Sequence, residues 1–380
     1  MDSDDPTQPF QLLAPDGTLT EDTRFAYQGS DDDLVSMLRQ MLIARRFDVE
    51  GAALQRHGEL ALWPPLTGQE AYQAAVTQVM AEPDMVFGTY REQSIALAKG
   101  VPLADIMALW RGSSLSRWTL DDAHVSPYYL IIGAQPLHAV GYAMGVARDK
   151  AKHPTDEANN AVTLTIYGDG ASSQGDVNEA LVFAAAQKAP VVFLCVNNQW
   201  AISEPQTIQT PIPLYQRAMG FGIPGIRVDG NDALATHAVL TKAFDEVRNG
   251  SGPMLVEAVT YRMGPHTTSD DPTKYRASEL TDEWAAKDPI ERLRTHLLAR
   301  GLIDQAWLDA LDAELETFGA RVRDTTRGLP NTPMSEVFDN VSADPGLALR
   351  EERADTLDWI ATRPASASQL AGAQAGGATK

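Results

Sequence analysis

The sequence predicts an α/β fold with a mostly parallel sheet, helices on both faces and a helical C-terminal region. Short apolar runs alternate with longer stretches of helical periodicity through the middle of the chain. Strands that alternate with helices in this way form parallel sheets with right-handed crossovers. After Asp288 the strand pattern stops and helical periodicity continues.

The chain divides by composition into one body with two ends of different character. Residues 1–29 are acidic and interrupted by Pro, Gly and Thr, so we expect an arm there, extended or disordered. Residues 30–345 carry the periodic patterns of a catalytic body, and residues 346–363 are predicted to form a C-terminal helix. The low-complexity residues 364–380 are expected to be disordered.

Local signals place the individual elements. The helical patterns cover residues 31–57, 68–81, 102–110, 136–152, 176–188, 233–248, 289–301, 304–322 and 347–361. The strand patterns cover residues 162–167, 190–196, 226–229 and 254–261. Ser30 is a favourable N-cap for the first helix, and Asp288 followed by Pro289 is typical of another helix start.

Composition excludes several classes of partner. The chain has 380 residues, with 31 basic and 51 acidic side chains and a net charge of −20. Without a basic cluster, nucleic acid and anionic membranes are poor partners. The single cysteine, Cys195, lies in an apolar run and is expected to be buried, and an internal disulfide is impossible. No apolar run approaches the length of a membrane span and no secretory signal precedes the body, so we expect a cytoplasmic protein.

Two polar clusters follow neighbouring strands of the predicted sheet. Gly168, Asp169 and Gly170 come directly after the strand at 162–167, and a pair of asparagines ending at Asn198 follows the next strand. Because parallel strands bind ligands beyond their carboxyl ends, we expect the clusters to be neighbours at one edge. An Asp-Gly turn and an Asn-rich turn without function are the alternative.

The residue types of these clusters match the chemistry of Mg²⁺ and diphosphate. Mg²⁺ prefers oxygen ligands and commonly takes one or two carboxylates together with phosphate oxygens. Asp169, the amide oxygen of Asn198 and the main-chain carbonyl of Trp200 are the predicted metal ligands. The flanking glycines are expected to admit a diphosphate close to the main chain. Asp176 with Glu179 fits a capping pair for the following helix.

The GDG stretch followed by paired asparagines resembles the signature of the thiamin diphosphate-binding fold. Four further segments, in the same order along the chain, resemble the alpha subunit of the E1 component of 2-oxo acid dehydrogenase complexes. These segments are FGTYREQS (87–94), IIGAQPLHAVGYAMG (131–145), GIPGIRVDGNDALA (222–235) and VEAVTYRMGPHTTSDDPTKYR (256–276). Together the similarity covers residues 30–345.

This resemblance implies an activity and a set of partners. The activity is oxidative decarboxylation of a 2-oxo acid on thiamin diphosphate and Mg²⁺, with reductive acylation of a lipoyl group on an E2 acyltransferase. In the family, the glutamate that activates the cofactor belongs to an E1 beta subunit, so an α₂β₂ heterotetramer is implied. The chain alone is then expected to be inactive.

The substrate class is less well defined by the resemblance. The segment TSDDPTKYR after His266 resembles branched-chain 2-oxo acid dehydrogenases, which we favour. GASSQGD and IIGAQ resemble pyruvate dehydrogenases, the alternative. A pocket that accepts extra methylenes discriminates by only about 1–3 kcal/mol. An acetoin-cleaving relative and a non-catalytic diphosphate-binding subunit are the remaining alternatives.

The resemblance also carries residue roles onto this chain. Tyr90 and Arg91 match a pair that contacts cofactor and substrate, although a surface salt bridge is the simpler interpretation of Arg91. Ile132 matches a bulky residue that wedges between the two cofactor rings, and a core position is its alternative. The implied cofactor-binding set is Tyr90, Arg91, Ile132, Gly168, Asp169, Gly170, Ala171, Asn198 and His266.

His266 is the remaining catalytic candidate, together with Tyr90. It lies in a loop rich in Gly, Pro and small polar residues, which is typical of a lid over an active site. The family's matching histidine lies beside the cofactor and helps acyl transfer to the lipoyl group. Thr267 stands where animal relatives carry the first phosphorylated serine, and Ala277 stands at the second such position.

Overall fold

Parallel strands form the central sheet in the part of the chain that this computed structural model describes, residues 7–112 and 118–362. The strands are β1 (Met85–Phe87), β2 (Thr163–Gly168), β3 (Val191–Asn197), β4 (Trp200–Ala201), β5 (Glu204–Pro205), β6 (Gly225–Asp229) and β7 (Met254–Val259). The sheet has the order β1-β2-β3-β7-β6, while β4 and β5 form a small antiparallel pair. The predicted α/β class is confirmed.

Helices connect and cover these strands. They are α1 (Asp31–Arg56), α2 (Glu70–Val79), α3 (Gln93–Ala98), α4 (Leu103–Arg111), α5 (Leu120–Ala123), α6 (Ala134–Lys152), α7 (Gly175–Gln187), α8 (Gln206–Gln209), α9 (Tyr215–Met219), α10 (Ala233–Arg248), α11 (Ser278–Ala285), α12 (Pro289–Ala299), α13 (Gln305–Gly328), α14 (Met334–Asp339) and α15 (Leu347–Ala361). The chain from α12 to α15 is helical, which confirms the helical region predicted after Asp288. No helix in the described ranges has both the length and the apolar character needed to cross a bilayer.

The sheet is buried on both faces, which explains the continuous apolar runs of its central strands. Alternate residues of β3 enter different cores. Val192, Leu194 and Val196 pack with α2 and α10, whereas Val191, Phe193 and Cys195 pack on the side of α7 and α9. Parallel strands covered on both faces lose the polar alternation of a half-exposed strand. The predicted burial of Cys195 is confirmed, since 1% of its surface is exposed.

The predicted helix starts differ in outcome. Ser30 forms a capping box with Asp33, and Asp288 accepts from the backbone N–H of Ile290 at 2.9 Å. The predicted capping pair at Asp176 is wrong, because α7 begins at Gly175 without a side-chain cap. Because a 3₁₀ turn over Gly170–Ser173 precedes the helix, α7 begins before Asp176 and not after it. Asp176 lies within the first helical turn, where its charge complements the helix dipole.

Irregular segments lie against both edges of the central sheet. At one edge, Phe10 of the N-terminal arm pairs in parallel with Val228 of β6, with the N–H of Phe10 donating to the Arg227 carbonyl at 2.9 Å. At the other edge, Val125 pairs in parallel with Val86 of β1. The segment 364–380, predicted to be disordered, lies outside the described residues.

Asp232 fixes the N-terminal arm to the body. Its buried carboxylate accepts from the backbone N–H groups of Leu12 at 2.7 Å, Leu13 at 2.6 Å and Ala235 at 3.0 Å. The arm is therefore held by main-chain hydrogen bonds to one acidic side chain as well as by pairing with β6.

We expect the Asp232→Ala variant to lower the free energy of unfolding by about 2–5 kcal/mol, because it leaves buried N–H groups without an acceptor. Chemical denaturation of the assembled protein measures this, and limited proteolysis should cut earlier within residues 7–29. Asp16→Ala is the control, since Asp16 is exposed and its described hydrogen bonds come from Thr18. Equal stability of the two variants would contradict the assigned role of Asp232.

Candidate active site

A cavity of about 500 Å³ opens beyond the carboxyl ends of β2 and β3. All the residues that the sequence singled out line it, namely Tyr90, Arg91, Ile132, Gly168, Asp169, Gly170, Ala171, Asn198, Trp200 and His266. The fold brings them together because each follows a strand end or begins a neighbouring loop. Their individual roles stay predictions.

Asp169 is a buried carboxylate at the base of this cavity. Only 2% of its surface is exposed, and Gln209 Nε2 donates to its Oδ2 at 3.2 Å. Burial raises the pKa of Asp169 to about 6. Among the described residues no cation pairs directly with this carboxylate, and burying an unpaired negative charge is costly. The position therefore favours a bound cation.

The other predicted metal ligands take part in internal hydrogen bonds. Asn198 donates to Gln69 Oε1 at 3.2 Å, and its own Oδ1 accepts from the N–H of Trp200 at 3.3 Å. The Trp200 carbonyl accepts from Arg262 Nη1 at 3.3 Å. Within the described residues no three His, Cys, Asp or Glu side chains are grouped to hold a metal. A cation here would need oxygens from a bound phosphate as well, as is usual for Mg²⁺.

The surroundings of the two glycines of the GDG stretch differ. A Cβ at Gly168 would meet no atom within 4 Å, so this position leaves open space on the cavity wall. A Cβ at Gly170 would lie 2.6 Å from the Cβ of Ala201, which is a steric overlap. Packing against β4 therefore requires Gly170, whereas Gly168 leaves room for a ligand to approach the main chain.

Two glutamines on the cavity wall carry buried polar atoms without partners among the described residues. These atoms are Gln69 Nε2 and Gln135 Oε1. Buried polar groups are nearly always hydrogen-bonded, so a polar ligand in the cavity would satisfy both. The cavity volume, the open wall at Gly168 and these atoms together fit a phosphorylated ligand of the size of a coenzyme.

His266 lies between two buried arginines. Arg91 Nη2 is 3.5 Å from His266 Nδ1 and donates to the His266 carbonyl at 3.1 Å, and Arg262 Nη1 is 3.4 Å from the same Nδ1. Burial lowers the pKa of His266 to about 4, and both guanidiniums contribute. Arg91 is 5% exposed and also donates to the Pro65 carbonyl, so it does not form the surface salt bridge considered from the sequence.

Side chains of the loop that carries His266 form hydrogen bonds within the same loop. Asp270 accepts from the backbone N–H of His266 at 2.8 Å and from the Tyr275 hydroxyl. Arg276 donates to main-chain carbonyls of the same loop, including that of Met263 at 3.0 Å. The main chain at His266 is thus held by a network within its own loop.

An apolar side chain and an aromatic ring complete the cavity wall. Ile132 is 44% exposed at the cavity edge, so the core position considered from the sequence is wrong. It precedes Gly133, the N-cap of α6, whose φ of +85° disfavours other residues. The ring of Tyr90 meets that of His266 edge-on, with 6.2 Å between centroids.

Comparison with known proteins decides the family. The family model for the dehydrogenase E1 component matches residues 38–337. The chain belongs to the dehydrogenase E1 component family. The resemblance to E1 alpha subunits is therefore confirmed, and membership implies thiamin diphosphate as cofactor together with beta-subunit and E2 partners.

Curated relatives of this E1 chain carry two kinds of name. It is 43% identical over 349 residues to 3-methyl-2-oxobutanoate dehydrogenase subunit alpha of Mycobacterium tuberculosis, which covers 91% of this chain and 93% of that protein. It is 37% identical over 328 residues to the pyruvate dehydrogenase E1 component subunit alpha of Acholeplasma laidlawii, covering 84% and 92% of the two chains. The Bacillus subtilis pyruvate dehydrogenase E1 alpha subunit is 35% identical over 333 residues, covering 87% and 86%.

Several residues of the E1 site could not be found from motifs. Gln69 and Gln209 lie outside the quoted segments, and Gln135 lies within IIGAQPLHAVGYAMG but received no role from the resemblance. Arg262 appears in the sequence only as a charge flanking the His266 loop, whereas in the structure it is 1% exposed and faces the imidazole. Contacts between segments that are distant in sequence bring these residues to the cavity, and local spacing does not show such contacts.

Proposed function

We propose that this chain is the alpha subunit of a thiamin diphosphate- and Mg²⁺-dependent E1 that oxidatively decarboxylates branched-chain 2-oxo acids. The observation that carries the substrate class is the 43% identity, over nearly the whole length of both chains, to a protein named for 3-methyl-2-oxobutanoate. Pyruvate is the second candidate, favoured by the pyruvate dehydrogenase alpha subunits at 37% and 35% identity.

Different residues of the cavity would bind the metal ion and the cofactor. Asp169, Asn198 and the Trp200 carbonyl would hold Mg²⁺ on the cofactor diphosphate, next to the open wall at Gly168. When bound, thiamin diphosphate supplies the electron sink for loss of CO₂ from the 2-oxo acid. Ile132 offers an apolar surface to the cofactor rings.

The Tyr90–Arg91 pair and His266 would face the substrate. Tyr90 and Arg91 lie on the same wall as His266, within reach of a carboxylate that enters the cavity. The guanidinium of Arg91 would orient that carboxylate. His266 would donate a hydrogen bond to the reacting group when the acyl unit passes to the lipoyl group of E2.

Catalysis is proposed to require a beta subunit. The acidic residues among the described lining are Asp169 and Glu92. Glu92 is buried and accepts from the N–H of Thr89 at 2.6 Å and from the Tyr72 hydroxyl at 2.8 Å, so its carboxylate is already engaged. A glutamate that activates the cofactor ring would therefore come from another chain.

The surface beside the cavity supports the same assembly. Leu130 and Ile131 are 56% and 72% exposed, and Ile202 and Ile208 are 53% and 71% exposed. Apolar side chains exposed together near a ligand site are typical of a protein interface. We propose an α₂β₂ heterotetramer in which the beta subunit covers this surface, with lipoylated E2 as the next partner.

Steady-state kinetics of the chain with and without its beta subunit test the proposal. The complex should show the highest kcat/KM for 3-methyl-2-oxobutanoate, a lower value for pyruvate and little activity on acetoin, and the isolated chain should show none. A higher kcat/KM for pyruvate would transfer the assignment to pyruvate dehydrogenase. Absence of Mg²⁺-dependent thiamin diphosphate binding by the complex would favour a non-catalytic subunit.

A further inference from the structure

We propose that Arg262, together with Arg91, holds His266 as a neutral imidazole with its proton on Nε2, and that Arg262 is thereby a positioning residue of this site. The inference rests on the proposed function, since it defines the form in which the same histidine meets a reacting group. It concerns a residue that the sequence motifs do not identify.

Arginine can only donate hydrogen bonds to the imidazole. A guanidinium has N–H donors and no acceptor, and it stays charged in proteins. Arg91 Nη2 and Arg262 Nη1 approach His266 Nδ1 at 3.5 and 3.4 Å. A proton on Nδ1 would point at two cationic donors. Nδ1 must therefore accept, and in a neutral imidazole the proton then lies on Nε2.

Arg262 is fixed in this orientation by its other contacts. It is 1% exposed and donates to the Ile202 carbonyl at 2.8 Å and to the Tyr275 hydroxyl at 3.0 Å. The Tyr275 hydroxyl donates in turn to Asp270, which accepts from the backbone N–H of His266. One carboxylate, through the Tyr275 hydroxyl, thus connects the histidine main chain with the arginine that faces the imidazole.

The local charges disfavour the imidazolium form. The ionisable groups around the ring are Arg91 and Tyr90 from one loop and Arg262, Asp270 and Tyr275 from its own loop. Two cations face the ring against one anion, and Asp270 directs its oxygen to the main-chain N–H instead of the imidazole. Burial acts in the same direction, because it disfavours the charged form.

The consequence is a defined role for the free nitrogen. Nε2 makes no hydrogen bond with the described residues, and His266 lines the cavity. A neutral N–H there is a donor aimed at an atom that gains negative charge, which is the arrangement of an electrostatic stabiliser. In this form Nε2 cannot accept a proton, so His266 enters the reaction as a donor.

Nitrogen NMR on the assembled protein tests the assignment. The chain has seven histidines, so it would be labelled with ¹⁵N-histidine, combined with unlabelled beta subunit, and His266 identified as the signal missing from His266→Gln. At neutral pH we expect a pyridine-type shift for Nδ1 and a pyrrole-type shift for Nε2. An imidazolium pattern, or a proton on Nδ1, would overturn the proposal.

Three variants distinguish an effect of the contact between Arg262 and His266 from a general disturbance of the loop. Arg262→Met should raise the pKa of His266 and populate the Nδ1-protonated form, while Arg262→Lys, which keeps a charged donor, should retain the wild-type pattern. Arg276→Met is the matched control, because Arg276 bonds to loop carbonyls such as that of Met263 and not to the ring. An unchanged pattern in Arg262→Met, or an equal change in the control, would refute the role of Arg262.

The same sample separates this inference from the proposed function. The nitrogen shifts do not depend on turnover. A complex that decarboxylates 2-oxo acids but carries an imidazolium at His266 refutes the inference and leaves the function intact. A complex with the Nε2–H pattern and no decarboxylation refutes the function and leaves the geometry of His266 intact.

Discussion

Asp169→Ala should abolish Mg²⁺-dependent binding of thiamin diphosphate and lower kcat/KM on the order of 10³-fold or more, equivalent to about 4 kcal/mol. The variant removes the carboxylate that is predicted to bind Mg²⁺. Titration of the assembled enzyme with thiamin diphosphate, with Mg²⁺ or with a chelator, measures the binding, and steady-state assays measure the rate.

Stability distinguishes loss of the site from loss of the fold in this variant. Because burial raises the pKa of Asp169 to about 6, its ionised form opposes folding, and removing it should keep or raise Tm in the absence of metal. Asp156→Ala is the control, since Asp156 is exposed in the turn that leads into β2, at the other end of the strand. Wild-type metal-dependent binding by Asp169→Ala would remove the basis of the metal assignment.

His266→Ala should lower the rate of reductive acylation of a lipoyl substrate by about 10²–10³-fold, the usual contribution of a positioned hydrogen-bonding group. Thiamin diphosphate binding should weaken less than in Asp169→Ala, because His266 is predicted to contact the cofactor but is not one of the predicted metal ligands. Stopped-flow measurement of the lipoyl step, beside decarboxylation assayed with an artificial oxidant, separates the two half-reactions.

An exposed histidine far from the cavity lining provides the comparison. His153 is exposed at the end of α6, and His153→Ala should leave both half-reactions at wild-type rates. If His266→Ala lost decarboxylation and lipoyl acylation equally, the histidine would act before acyl transfer. If it lost neither, His266 would have no catalytic role.

The fold was predictable where the determining signal is local. The strand at 191–197 reads as an apolar run because both of its faces are covered, and the long amphipathic helices carry their own periodicity. The three residues of β1 gave no such signal, since a short apolar patch forms a strand only when β2 lies beside it. The misplaced cap at Asp176 has a related cause, because the preceding 3₁₀ turn is set by packing rather than by sequence spacing.

The site divides in the same way. Asp169 and Asn198 were predictable because each directly follows a strand of the sheet, where ligands bind. Gln69 was not, because its partner Asn198 lies 129 residues away and a buried glutamine carries no motif. The same reason hides Arg262, whose position against His266 depends on how the loop closes on Tyr275 and Asp270.

The segments beside β6 and β1 have a consequence for solubility. An uncovered outer strand offers free N–H and C=O groups to any extended chain that it meets. Phe10 and Val125 occupy those groups at the two margins of the sheet. A protein expressed from residue 30 onward would lose the cover on β6, and we expect it to self-associate into concentration-dependent aggregates that the full-length chain does not form.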